Sequence, residues 1–235
     1  MGAILGQHFM VDDAVLSRIA GYAGVKKGDC VLEVGGGTGN LTNKLLSLGV
    51  KVVVIERDTR MTAALTERFL GEKNLTVIEG DALKVELPQC AKVAANIPYA
   101  ISRQLLLRLL SHGFSTAVLT VQKEFAEKIA AKPGTPEYRF ISVVTQASCK
   151  VEVLEAVPAS AFSPPPLVKS SVVRLTMKEK PSEEWLSFLK KAFSQKNKKI
   201  TKLVPKAPKE LAELRPYDVS SEGFKVLFGF VSSEV

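Results

Sequence analysis

The sequence contains no apolar run approaching about eighteen residues, so no membrane-spanning helix is expected. Its opening, MGAILGQHFMVDD, lacks the basic segment and long apolar core of a secretory signal. Without Ser or Thr at position six it also fails the myristoylation pattern. Cysteine is scarce. Cys30, Cys90 and Cys149 are odd in number, far apart and without paired spacing, which argues against a disulfide framework or zinc site and for a reducing compartment. No internal repeat or low-complexity segment is present. These absences lead to the expectation of a cytoplasmic protein with no membrane association and no metal; a monomer is also expected. Acidic residues are missing from one stretch: Lys190 to Lys209 holds eight lysines and no Asp or Glu. Such a run reads either as a solvated helical face or as a footprint for a polyanion, and the net charge of +8 is compatible with both.

What is present is an ordinary globular composition, 46% hydrophobic and 24% charged. The 235 residues suffice for one full α/β domain with a small appendage. From Cys30 to about Val121, apolar runs rich in β-branched residues alternate with helical patterns. CVLEV (30–34), KVVVIE (51–56), a run ending near Glu79, AKVAAN (91–96) and STAVLTVQ (115–122) read as strands. NLTNKLLSLG, DTRMTAALTERFL (with Asp58 as its N-cap) and ISRQLLLRLL read as helices. This alternation predicts βαβ units and a parallel sheet. Two further strands are expected in SVVTQASCKVEVLEAV and SSVVRLTM, with FSPPPLVK as a rigid loop between them. After Met177 the composition turns polar and then helical, and Ser182 opens a capped amphipathic helix, SEEWLSFLKKAFSQ. The expected division is an α/β domain over 1–177 and a small helical domain over 178–235.

The chemistry concentrates at predicted strand ends. In VLEVGGGTGNLT the order strand, glycine loop, helix turns backbone N–H groups and a helix N-terminus toward a ligand. The spacing from Gly35 through Gly37 and Gly39 is G-x-G-x-G, which lacks the last glycine of the dinucleotide fingerprint and disfavours an NAD-dependent oxidoreductase. Glu33, two residues before the loop, suits a cationic or uncharged ligand better than phosphates. Glu56 follows Gly35 by 21 residues, where an acid accepts from both ribose hydroxyls; alone it could be an exposed strand-end carboxylate. Asp81, in EGDAL, is placed either to accept from an adenine amine or to form a cap or Asx-turn. Together these residues specify an adenosine moiety without a phosphate site.

Beside them lies Asn96-Ile97-Pro98-Tyr99. Proline stiffens this turn and drives Ile97 into extended backbone. An exocyclic nucleobase amine is a poor nucleophile, because its lone pair is delocalised into the ring. The Asn96 side-chain oxygen and the Pro98 carbonyl, both accepting from the amine, would direct that lone pair at a methyl donor, while Tyr99 stacks on the base.

Several segments resemble the rRNA adenine N6,N6-dimethyltransferase family nearly from end to end. These are GQHFMVD, LEVGGGTGNLT, VIERD, GDAL, NIPY, FSPPPLVKSSVVRL, and the tail segments FLKKAFSQKNKK and ELRP. The resemblance implies a Rossmann-like class I methyltransferase with a seven-stranded, mostly parallel sheet and a small C-terminal helical domain. It implies S-adenosylmethionine-dependent dimethylation of adenosines, two adjacent ones near the 3′ end, in small-subunit ribosomal RNA. By the same resemblance His8, Met10, Gly35, Gly37, Glu56, Asp81, Ala82 and Asn96 contact the cofactor, and Asn96, Pro98, Tyr99 and Phe162 act on the adenine. Lys190, Lys191, Lys196, Lys198, Lys199 and Lys202 then read as RNA contacts. The target base has to leave its stack to be reached. Two alternatives share these features: a large-subunit adenine methyltransferase of the antibiotic-resistance type, and a weakly catalytic ribosome-assembly factor.

Overall fold

The structure is a computed structural model and describes residues 8–232. Gly6 and Gln7 of the N-terminal motif lie outside the described residues. In chain order the first half contains β1 (Phe9–Met10), α1 (Asp13–Tyr22), β2 (Cys30–Val34), α2 (Asn40–Ser47), β3 (Lys51–Glu56), α3 (Thr59–Arg68), β4 (Leu75–Glu79), β5 (Lys92–Asn96), α4 (Ser102–His112) and β6 (Thr116–Gln122). Then follow α5 (Lys123–Ala130), α6 (Phe140–Ser148), β7 (Cys149–Val157), β8 (Phe162–Ser163), β9 (Ser170–Met177), α7 (Glu183–Ser194), α8 (Lys209–Ala212) and α9 (Ser221–Ser232).

Seven strands form one sheet in the order β4-β3-β2-β5-β6-β9-β7. β2 to β6 pair in parallel, and β9 runs antiparallel to β6. The central strands are apolar on both faces because helices cover both: Val31, Leu32, Val34, Val93, Ala94 and Ala95 are all buried. Side chains set the helix starts. Asp12 accepts from the amides of Ala14 and Val15 to open α1, Asp58 accepts from Arg60 N to open α3, and Ser182 accepts from Trp185 N to open α7. The chain runs outward through β3 and β4 on one side of β2 and through β5 and β6 on the other, so strand order reverses between β2 and β5. At such a switch point the loops leaving the carboxyl ends diverge and open a crevice.

Four features depart from the sequence reading. The segment 140–148 is the helix α6, so of the long strand expected over 142–157 only Cys149–Val157 is extended. Its β-branched residues are buried on nearly every side, and a uniformly apolar segment carries no period to separate helix from strand. Second, β1 and β8 form a two-stranded antiparallel ribbon, Phe9 opposite Ser163 and Met10 opposite Phe162, too short to leave an alternation in the sequence. Third, Cys30 and Cys90 form a disulfide, which corrects the expectation of unpaired cysteines. Parallel pairing sets Val31 opposite Lys92, which carries both cysteines to the same edge of the sheet despite a separation of 60 residues.

Fourth, the chain divides into two compact units: 1–126 with 152–176, and 127–151 with 177–235. The linear break expected at 177 leaves 127–151 with the sheet, whereas its contacts lie with the C-terminal helices. Tyr138 illustrates why. Its ring is fully buried and its hydroxyl donates to the Val219 carbonyl at 2.9 Å. Burial raises the phenol above its ordinary pKa, which keeps it a donor.

Candidate functional site

Within the sheet unit, the carboxyl ends of β2, β3, β4 and β5 place Gly35, Glu56, Asp81 and Asn96 around adjoining cavities. His8, Gly35, Gly37, Glu56, Asn96, Pro98 and Tyr99 line one of them. A second, sharing His8, Gly35, Glu56, Pro98 and Tyr99, extends to Asp81, Ala82 and Ile101. A third, small one joins Met10 and Glu33 to Gly35, Gly37 and Asn96. All eight residues assigned to the cofactor from the sequence therefore face this connected space.

Gly35 is required by its backbone conformation, and Gly37 by both conformation and room. Gly35 has φ +78° and packs against the Asn96 carbonyl, 3.7 Å from where a Cβ would sit. At Gly37, with φ +51°, a Cβ would lie 2.8 Å from the Phe9 ring. The Gly37 N–H donates to Glu56 Oε2 at 2.9 Å, and Asp58 N donates to Oε1 at 2.9 Å. Each buried carboxylate oxygen thus spends one lone pair on the backbone and keeps another, which fixes Glu56 without consuming it. Asp81 forms the Asx-turn that sequence reasoning held open: Leu83 N donates to Oδ1 at 2.9 Å. Its second oxygen leaves the acceptor role available, so the two readings coexist.

Glu33 sits beneath the loop, almost fully buried, and accepts from Thr42 Oγ1 at 2.7 Å. Burial pushes its carboxyl up to about 8, and the charge of Glu56 pushes in the same direction against the Thr42 bond. Burial thus favours the neutral form of this carboxyl.

The turn after β5 carries the sharpest geometry. Asn96 Nδ2 donates to the His8 carbonyl at 3.0 Å. A carbonyl only accepts, so the amide is oriented unambiguously and Oδ1 is left as an acceptor. The Pro98 carbonyl, expected to be the second acceptor, already accepts from Ile101 N at 3.1 Å and Ser102 Oγ at 3.4 Å. Those two bonds occupy its lone pairs. One residue earlier, Ile97 donates its N–H to the Thr120 carbonyl at 3.1 Å and lines the same cavity as Asn96. Among the described residues no group donates to the Ile97 carbonyl. The available pair of acceptors is Asn96 Oδ1 and Ile97 O, and Pro98 acts by fixing the backbone angle that aims the latter. Sequence reasoning missed Ile97, although the proline after it was the signal.

Tyr99 stacks on His8, with ring centroids 6.0 Å apart and planes inclined by 29°. Its hydroxyl is 2.6 Å from Ser170 Oγ. The His8 ring in turn bonds the Pro164 carbonyl through Nδ1 at 2.8 Å. Phe162 is not brought to these cavities; it is buried among Met10, Val157 and Ala161. Lys190, Lys191, Lys196, Lys198, Lys199 and Lys202 all belong to the helical unit and all are exposed. Among the described residues no group of His, Cys, Asp and Glu could hold a metal ion, and no helix is long and apolar enough to cross a membrane.

A sheet with a glycine cradle, an acid at the next strand end and an oriented amide at the switch point defines a nucleoside-binding protein of the Rossmann-like methyltransferase class. The chain belongs to the ribosomal RNA adenine dimethylase family, whose model matches residues 3–215. It is 45% identical over 207 residues to the probable ribosomal RNA small subunit methyltransferase A of Natronomonas pharaonis, covering 84% of this chain and 75% of that protein. A dimethyladenosine transferase from Plasmodium falciparum superposes with a TM-score of 0.87 at 33% identity, covering 97% of this chain and 99% of that one. The 23S rRNA methyltransferase ErmE gives a TM-score of 0.74 at 26% identity, covering 95% of this chain and 99% of that one.

Proposed function

We propose that this protein uses S-adenosylmethionine to dimethylate adenosine N6 in small-subunit ribosomal RNA. The observation that carries the reading is the pair of backbone-fixed acceptors, Asn96 Oδ1 and Ile97 O, at the end of β5. Two acceptors engage both hydrogens of an exocyclic amine and so hold nitrogen with its lone pair out of the ring plane. The donor supplies a methyl group on a sulfonium centre. Gly35 and Gly37 leave space for a nucleoside against the backbone, Glu56 accepts from the ribose hydroxyls, and Asp81 with Ala82 borders the adenine edge. A pyrophosphate is disfavoured beside the glycine loop, because the Glu56 carboxylate lines that cavity and no Lys or Arg does among the described residues. No general base is required, since the amine proton becomes acidic only after nitrogen gains the methyl. After a first methylation one hydrogen remains, so one acceptor suffices to align the second transfer.

The target adenine stacks on Tyr99. The six lysines of the helical unit contact the RNA backbone as point charges. The small subunit is favoured as substrate because the 45% identical relative bears that name, while the large-subunit enzyme ErmE is the more distant match at 26%. A monomer acting in the cytoplasm is part of the same proposal, and cysteine usage does not support it, since Cys30 and Cys90 pair.

Purified protein, S-adenosylmethionine and undermethylated small ribosomal subunits should yield N6,N6-dimethyladenosine detectable by mass spectrometry of the rRNA. Methylation confined to large-subunit RNA would replace this reading with the resistance-type activity. No methylation of either RNA would leave the assembly-factor reading.

A further inference from the structure

The segment Pro164–Lys169 joins β8 to β9 and is pinned at both ends by residues that line the candidate site. His8 bonds the Pro164 carbonyl at 2.8 Å, and Tyr99 bonds Ser170, the residue just past the loop, at 2.6 Å. Lys123 N donates to the Lys169 carbonyl at 2.9 Å. Three successive prolines fix φ at 164, 165 and 166, and each restricts the residue before it, so the backbone from Ser163 to Pro166 is stiff. Pro166 is buried and anchors the loop, yet Leu167 beyond it is 105% exposed and Val168 is 42% exposed. Single exposed leucines are ordinary on protein surfaces. Leu70, 86% exposed just after α3, is one, because its apolar neighbour Phe69 packs against the core and Gly71, Glu72 and Lys73 follow. Leu167 differs in having an exposed apolar neighbour, Val168, and a rigid mount tied to His8 and Tyr99, which line the site.

From this we infer that Leu167, with Val168, packs against the RNA base left exposed beside the target adenosine when that adenosine leaves its stack. The inference rests on the rRNA-methyltransferase reading of the neighbouring pocket. Removing one nucleotide from a stack uncovers the apolar face of the next, and a rigid apolar wedge covers such a face without further ordering. The exposed side chains of Lys169 and Lys123 border the wedge and supply charge for the flanking phosphates. A protein partner of the assembling subunit would also bury an apolar tip. The base is favoured because the tip is built onto His8 and Tyr99, which line the same cavity as Asn96 and Ile97.

The test measures methylation of undermethylated small subunits by wild type, Leu167→Ser and Leu167→Met. Leu167→Ser should lower kcat/KM for the subunit about tenfold, the loss expected when one leucine forfeits much of its burial. The KM for S-adenosylmethionine and the melting temperature should stay unchanged, and Leu167→Met should restore near-normal kinetics. A diazirine-bearing leucine analogue at position 167 should crosslink to rRNA within a few nucleotides of the modified adenosine. Equal kcat/KM in Leu167→Ser and wild type would overturn the inference, as would a crosslink to a ribosomal protein only or a parallel change in cofactor KM. If wild type itself fails to methylate the subunit, the functional reading fails instead, so the two failures are distinguishable.

Discussion

In the sheet unit the buried residues are mainly aliphatic, Val31, Leu32, Val54, Val93 and Val118 among them, and key polar groups inside are held by bonds. Glu33 takes the Thr42 hydroxyl, Glu56 takes two backbone amides, and Asn96 gives its amide hydrogen to His8. The helical unit instead packs ring on ring. Trp185 meets Phe228 edge-on at 5.3 Å, Phe188 lies 5.5 Å from Phe228, and Phe193 lies 5.7 Å from Phe224. Its six candidate lysines lie outside, on exposed positions. One unit fixes the direction of single atoms, and the other presents charge whose orientation matters little. Removing one group should therefore cost the first unit nearly everything and the second a fraction.

The largest effect is expected at Asn96. Asn96→Ala removes one of two acceptors for the amine and should slow methyl transfer by about 10³-fold, as when one preorganised partner of a transition state is lost. Cofactor affinity, measured by calorimetry, should fall by less than about tenfold, because Gly35, Glu56 and Asp81 remain. Retention of full activity would reduce the turn to scaffolding and remove the contrast between the units.

A smaller effect, on stability, is expected from Glu33→Gln. In the folded protein Glu33 titrates at about 8, against 4.5 for an unperturbed carboxyl. The folded state therefore binds the extra proton, and the associated stability is complete below 4.5 and lost as pH rises through about 8. Wild type should lose on the order of a few kcal/mol relative to Glu33→Gln between pH 5 and pH 9, read from melting curves of both proteins. Glutamine still accepts from Thr42, so parallel pH profiles would mean that Glu33 is not the buried acid described.

Much of this was legible in the chain. Strands 30–34 and 51–56 coincide with β2 and β3, and Asp58 caps α3, because each is written in local chemistry: continuous apolar runs and a side-chain acceptor before a helix. Gly35, Glu56 and Asp81 could be grouped because parallel strands bring successive carboxyl ends to one side. What stayed hidden was set by tertiary contact. The helix at Phe140–Ser148 is apolar all round, so no period marks it. The pairing of Cys30 with Cys90 depends on β2 lying beside β5. Neither Phe162 turning into the core nor the occupied Pro98 carbonyl can be read from a motif, since both follow from where the neighbouring donors and side chains end up.

The smallest effects are expected one lysine at a time. Each of Lys190, Lys191, Lys196, Lys198 and Lys202 replaced by Gln should weaken rRNA binding only a few-fold and reduce the slope of log affinity against log salt by roughly one per lost phosphate contact. Lys199→Gln should do least, because that ammonium already pairs with Glu213 at 2.5 Å and is partly compensated before RNA arrives. The effects should add across the series, since screened point charges on exposed stems act nearly independently. A single lysine whose loss abolished binding without changing the salt slope would make that residue a directed contact like Asn96, and the two units would no longer differ in kind.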